Sequence, residues 1–504
     1  MDVVLACDLG GSSLKTALIR ASGHVCAQYR KVQPVPQSHS GFSELDPHQW
    51  WHDLGQSLDA LRAMDAQAFS RIQGIAMCGF TRTQVFIGRD GSVLRPAITW
   101  QDSRAETCAE TLRALLPSDH PEWQQINAFH PLARLHWIKQ HEPSLWDKLG
   151  AVLDPKDFIH FRLTGQLCSD PISLARLVAA SHAGAGSQSL LASASLSDHI
   201  LPQLAHPVTQ TGVVQKGLGA AFEALVGKPV FNCANDTWAA VLGLGAMRPG
   251  MAYNISGTTE VFGVLSHSKA TADGLLHVDW GDIDQLGGPS QNGADTLRWL
   301  LSLLQDSSDQ DLIDTSLEKL LAGPREAQPL LFLPYLNGER TPYWNPALRG
   351  ALIGLNRKHS ATDMAYAVME GVSFHNRLIL ERAEAAMGLR VHEIRFGGGA
   401  AANPVWRQIK ADICARPVRV TTSQEAGLLG TAAVIWTGLG RFSSLEAAQD
   451  ALVQTASFVT PDPERVLFYD QLYQHFRAAE HALAPVSMSL AHLSSHPSPD
   501  QGKV

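Results

Sequence analysis

The chain has 504 residues, 45% of them hydrophobic and 17% charged, with a formal net charge of −8. That length and balance predict two or more globular domains with a large buried core. The absence of a Lys/Arg block argues against a nucleic-acid binder, and no run of about 18 apolar residues marks a membrane span.

Seven cysteines, at 7, 26, 78, 108, 168, 233 and 414, form no CxxC pair and no zinc spacing, so the chain reads as reduced and cytoplasmic. The first apolar run, Val3 to Cys7, ends at Asp8 and is too short for a signal peptide. It reads as a strand, followed by the small-residue turn Asp8-Leu9-Gly10-Gly11-Ser12-Ser13 and by two further strands, Leu14 to Arg20 and His24 to Tyr29. A helix is expected from Pro47 to about Met64, with Asp46 as N-cap and Pro47 in the first helical position. Ile72 to Cys78 reads as the next buried strand, and strands alternating with helices predict an α/β fold.

Lys228 to Asn232 reads as a strand entering Cys233-Ala234-Asn235-Asp236-Thr237, and a small-residue helix follows. Asp236 is the candidate base, because phosphorylating an alcohol needs a carboxylate to take the hydroxyl proton. The competing reading is that Asn235 or Asp236 only caps the helix. Asp102 is a second candidate, for sugar hydroxyls, whereas Asp154 and Asp157 look like a turn entering a helix.

Beyond Gly245 the opening pattern returns. Met251 to Leu265 again reads strand, hydroxylated turn, strand, with Ser256-Gly257-Thr258-Thr259 in the place of Gly10-Gly11-Ser12-Ser13. A repeat one domain apart predicts a duplicated domain rather than a solenoid. Both turns suit phosphate: Gly lets backbone N–H groups approach closely, and Ser/Thr hydroxyls add donors. Asp8 can hold Mg²⁺ through water, and Lys15 can reach a phosphate as a point charge. This is not a P-loop, since Leu14 rather than Gly precedes Lys15.

Gly397-Gly398-Gly399 to Asn403 follows a strand, Val391 to Phe396, and opens a helix, Pro404 to Cys414. The run fits a loose dinucleotide pattern, but the next strand, Pro417 to Thr422, ends in Thr and offers no acid for a ribose. Packing against adenosine is the better reading. Pro461 to Leu483 is expected to include a helix returning to the body. Residues 486–504 are expected to form a disordered tail, with Ser494 to Gly502 rich in Pro and Ser.

In order along the chain, these motifs resemble the FGGY carbohydrate kinases. Asp90 to Arg104 is similar to the family's "DGxxLRPAIxWxDxR", Lys156 to Gly165 to "KDYLxxRLTG", and Leu333 to Pro342 to "PYLxGERTP". The resemblance covers roughly residues 3 to 440 and is closest to the family's xylulokinases. It implies two actin-like, ribonuclease-H-like domains with a cleft that closes on substrate, here 1–245 and 246–485. It implies ATP and Mg²⁺, with Asp236 as general base. It further implies that Gly257, Thr258, Thr259 and Gly293 meet ATP phosphates, and that Gly398, Gly399 and Asn403 lie beside adenosine. A small sugar or polyol is the expected partner, with Gly79, Arg82, Trp100 and Asp102 around it. Neither nucleic acid nor membrane is expected, and a homodimer is one open assembly.

One departure concerns the substrate. Gly79-Phe80-Thr81-Arg82-Thr83-Gln84 carries Arg82 where xylulokinases have a His and glycerol kinases a Glu. Arg is a fixed fork of donors and cannot accept, so an acceptor-rich or carboxylate-bearing end would suit it, unless it only shapes the pocket. The leading expectation is transfer from ATP to a ketopentose such as D-xylulose. Another polyol or sugar acid, or a silent ATP/sugar-binding regulator, is the alternative. A chaperone or filament protein on this fold would need additional binding segments that the sequence does not carry.

Overall fold

The computed structural model describes residues 1–33, 41–120, 122–183, 188–305 and 317–493. They fall into two compact units: Met1–Gly243 with Glu425–Val453, and Leu244–Gln424 with the chain from Gln454 onward.

The first unit is built on a six-stranded sheet. Its strands are β1 (Val3–Leu9), β2 (Ser13–Ile19), β3 (Val25–Val32), β4 (Ile72–Gly79), β5 (Gln210–Val213) and β6 (Pro229–Phe231). They lie in the order β5-β6-β4-β1-β2-β3, with β1, β2 and β3 antiparallel and β4 and β6 parallel to β1. Side chains alternate across a strand. On β1, Val3, Leu5, Cys7 and Leu9 share a core with Trp50, Leu54, Leu58 and Leu61 of the helix Pro47–Met64. That helix begins as its sequence predicts, with the Asp46 side chain accepting from His48 N and Pro47 in the first turn. A smaller apolar cluster, including Leu112, Leu132, Leu135 and Leu190, holds together the helical segments between 105 and 200.

The second unit repeats the pattern. Its strands are β7 (Met251–Ser256), β8 (Glu260–Ser266), β9 (Leu276–Asp279), β10 (Asp284–Ser290), β11 (Glu393–Gly397), β12 (Val418–Thr421) and β13 (Thr455–Val459). Their order is β9-β10-β8-β7-β11-β12-β13. Here β7, β8 and β10 are antiparallel, and β11 and β12 run parallel to β7. The five central strands therefore have the connectivity of β3-β2-β1-β4-β6, as expected of a duplicated domain. The helix Ala361–Met387 crosses this unit, opened by a Ser360/Asp363 capping box and closed by Gly388 at φ 64°.

Two boundaries differ from the sequence expectation. Residues 425–453 pack with the first unit rather than the second, through the helix Ala426–Gly438. The helix Pro463–Leu493 continues ten residues past Leu483, so residues 486–493 are helical and not part of a disordered tail. Residues 494–504 lie outside the described residues.

Candidate active site

The first unit gathers its chemistry where three strand ends meet. Asp8 is paired with Cys78 across the parallel β1–β4 register, Leu9 is paired with Gly79, and Gly79 in turn bridges to Asn235. Gly79 is tightly confined there: a Cβ would lie 3.1 Å from Leu9 O. Asp236 therefore follows directly on a backbone that runs beside the end of β4. Asn235, not Asp236, caps the helix Asp236–Gly243, since its Oδ1 accepts from Trp238 N at 2.9 Å. This removes the capping explanation for Asp236. Its Oδ1 accepts from Thr237 N at 2.6 Å, and among the described residues no neighbour's hydrogen bond engages Oδ2.

The helix Ala426–Gly438 covers this site. A Cβ on Gly427 would lie 2.8 Å from Asp8 Oδ2, so the glycine lets the helix approach the carboxylate. Farther along, a Cβ on Gly430 would fall 1.8 Å from Ala239 O, and one on Gly243 would fall 1.8 Å from Ala426 O. The small residues of both helices are thus explained by a close backbone crossing. Lys15 on β2 pairs with Glu425 at the start of the same segment. Burial, and then the neighbouring Asp236 carboxylate, push Asp8 up to about 7. Burial also raises Asp236, which brings a carboxylate closer to the range useful to a base near neutral pH.

Asp8 is a reasonable holder of a divalent cation. A half-buried carboxylate crowded by a second one would be relieved by positive charge, and Mg²⁺ commonly takes one protein carboxylate plus water and phosphate oxygens. The adjoining turn is closed by Gly10 N donating to Ser13 O at 2.9 Å, leaving Gly11 and Ser12 exposed and Ser13 buried.

The expected sugar-side residues separate into two kinds. Trp100 is 46% exposed, and its indole Nε1 lies 3.8 Å from where a Gly11 Cβ would stand. Arg82 is exposed and adopts φ 59°, a left-handed conformation unusual for Arg. Asp102, by contrast, is fully buried and is not presented to a sugar. Both its oxygens are occupied: Ser43 N donates to Oδ2 at 2.6 Å, and Arg104 Nε and Nη2 form a bidentate pair with it at 2.7–3.0 Å. It folds the 99–104 loop, whereas the sequence reading expected it beside the sugar.

Sequence reasoning missed Arg134, the residue that ties these loops together. Its buried guanidinium donates to Arg82 O at 2.5 Å and to Asp102 O at 3.3 Å. Glu425 and Gly427 were also missed. Asp154 stands before the helix Pro155–Thr164 without a capping hydrogen bond, while Lys156 is buried between Asp157 and Asp170 at 2.5 and 2.7 Å.

The second unit carries the other expected residues. Gly257 N donates to Thr259 O at 2.9 Å, closing a turn like that of Gly10 and Ser13, and Gly257, Thr258 and Thr259 are all exposed. Gly293 packs under it: a Cβ there would lie 2.7 Å from Thr259 C, and Ala294 N donates to Gly257 O. Gly398, at φ 84°, passes so close to β7 that a Cβ would fall 2.2 Å from Ser256 O. Gly399 has open space about it. The Asn403 side chain is the N-cap of the helix Pro404–Cys414, accepting from Trp406 N at 3.1 Å. A short 3₁₀ turn, Gly399–Ala402, separates the glycines from that helix, unlike the direct strand-to-helix turn of a dinucleotide site.

Known proteins share this fold. Residues 3–243 match the N-terminal domain of the FGGY family of carbohydrate kinases, and residues 252–436 match its C-terminal domain. A xylulose kinase of Bacillus subtilis is 29% identical over 493 residues, covering 95% of this chain and 96% of its own. One from Klebsiella pneumoniae is 30% identical over 431 residues, covering 83% and 86%. The crystal structure of a xylulose kinase from Rhodospirillum rubrum superposes with a TM-score of 0.83 at 26% identity, covering 96% and 99%. The chain, with its duplicated sheet and matching glycine turns, belongs to the FGGY family of carbohydrate kinases.

Proposed function

We propose that this carbohydrate kinase transfers the γ-phosphoryl group of ATP to a hydroxyl of a ketopentose such as D-xylulose, with Asp236 as general base. The observation that carries the reading is Asp236 itself: relieved of capping by Asn235, raised by burial, and close enough to Asp8 to perturb it. In the reaction the substrate hydroxyl gives its proton to Asp236 Oδ2. Its oxygen forms the new bond to phosphorus as the bond to the β-phosphate bridging oxygen breaks, and ADP leaves. Mg²⁺, when bound, would neutralise charge on the phosphates, and Asp8 would hold it through water. The amide-lined turns at Gly10–Ser13 and Gly257–Thr259 would supply donors to phosphate oxygens.

D-xylulose as substrate is supported by the names of the relatives that span nearly the whole chain. Arg82 favours a second reading, a sugar acid, because an exposed guanidinium is a bidentate partner for a carboxylate. The discriminating experiment measures ATP consumption with Mg²⁺ across ketopentoses, alditols, glycerol and sugar acids. Turnover led by D-xylulose supports the proposal. Turnover confined to sugar acids would replace it with the second reading. Silence across the panel, with ATP still bound, would point to a regulator.

A further inference from the structure

The second unit contains a cavity of about 220 Å³ that the phosphoryl-transfer reading does not use. One wall comes from the 333–349 segment and the other from the helix Pro463–Leu493. At its floor Glu480 is 7% exposed, and its Oε1 accepts from the hydroxyls of Tyr335 and Tyr343, the latter at 2.9 Å.

The opposite oxygen is in a different state. Glu480 Oε2 and Arg477 Nη1 form an ion pair at 3.4 Å, one turn apart on the helix, and both atoms are buried without a hydrogen bond among the described residues. An unsatisfied buried polar group is costly, so a native protein normally pairs such atoms with water or a ligand. The ion pair is long and makes no hydrogen bond, so it can take a donor at Oε2 and an acceptor at Nη1, side by side. A simple anion would answer Arg477 but meet Glu480; an ammonium would do the reverse. A hydroxyl both donates and accepts. Burial pushes Glu480 up to about 8, and a hydroxyl can pair with either protonation form.

The remaining walls fit the same chemistry. The Tyr335 and Tyr343 rings, set edge to face at 5.8 Å, offer apolar surface to C–H groups beside the polar pair, and Leu348 and Leu483 extend it. With about 30 Å³ per water in the liquid, the space holds several waters or one compound of pentose size. Pro485 interrupts the hydrogen-bond ladder of the helix beside this wall, because it has no N–H for the His481 carbonyl.

The geometry points to a second ligand site, in the second unit, for a neutral polyhydroxy compound of pentose size. This inference rests on the cavity alone and not on the role of Asp236. The test is hydrogen exchange on the full-length protein, titrated with xylitol, ribitol and D-xylulose as separate probes. At least one probe should slow exchange in peptides covering 333–349 and 477–487 in a saturable manner. Arg477→Met should weaken that response about tenfold or more, as should Ala484→Leu, which fills the cavity while keeping both charged side chains. Asp236→Asn should leave it unchanged. No slowing in those peptides with any of the three probes at millimolar concentration would overturn the site. So would an undiminished response in both cavity variants.

Discussion

Replacing Asp8 by Asn should make the first unit more stable while abolishing turnover. Asp8 is raised to about 7, mainly by burial and then by Asp236, against an ordinary carboxylate value of about 3.9. Between roughly pH 4 and 7 the folded protein therefore holds a proton that the unfolded chain has lost, so stability falls as pH rises through that window. The full difference, about 3 pH units, corresponds to at most about 4 kcal/mol above pH 7 and about 1.5 kcal/mol at pH 5. Asp8 is only half-buried, which lowers both figures, but their order stands. Asn carries no charge and escapes the penalty at either pH. Thermal unfolding without nucleotide at pH 5 and pH 8 reads the effect. The variant should melt several degrees above the wild type at pH 8, with a clearly smaller gap at pH 5. An equal gap at the two pH values, or a wild type that is the more stable at pH 8, would refute the electrostatic reasoning.

Other substitutions separate structural from catalytic roles. Asp102→Asn should cost about 1.5–3 kcal/mol of stability, because it weakens the bidentate pair with the buried Arg104 guanidinium and leaves Glu44 as that cation's carboxylate partner; loss of sugar affinity in a variant of unchanged stability would support a direct role for Asp102. Gly398→Ala should destabilise the second unit by several kcal/mol in chemical denaturation, since φ is 84° and the new Cβ would meet Ser256 O. Gly427→Ala should shift the Asp8 carboxylate and lower kcat by about 10²-fold while the protein stays folded. Normal turnover there would show that the helix Ala426–Gly438 does not set the position of Asp8.

Much of the fold was legible where the cue and its cause are close in sequence. Asp46-Pro47 starts a helix, Asp8 to Ser13 makes the turn, and the same pattern near Ser256 reveals the second unit. The candidate base was legible in part. A Asn-Asp pair before a helix does not tell which residue caps, and only the Asn235–Trp238 hydrogen bond decides it. What stayed hidden depends on distant partners. Gly430 is small because Ala239, almost two hundred residues earlier, passes against it, and nothing near Gly430 announces that. Asp102 reads as a polar residue suited to a sugar until Ser43 and Arg104 are seen to take both its oxygens. Arg134 lies in the helix Pro131–His141 among consecutively buried residues, and its hold on the Arg82 and Asp102 carbonyls leaves no local mark. The tail misled because the polar, Pro/Ser-rich stretch Ser494 to Gly502 was extended back to 486, whereas the helix continues past Pro485 to Leu493.

The most direct test of the account is single-turnover phosphorylation by wild type and Asp236→Ala, with product ester and ADP measured together and ATP affinity determined separately. The account predicts a loss of about 10²–10⁴-fold in the rate of ester formation at unchanged ATP affinity. A variant that forms the ester at the wild-type rate would contradict it, and the base would have to be sought elsewhere in the first unit.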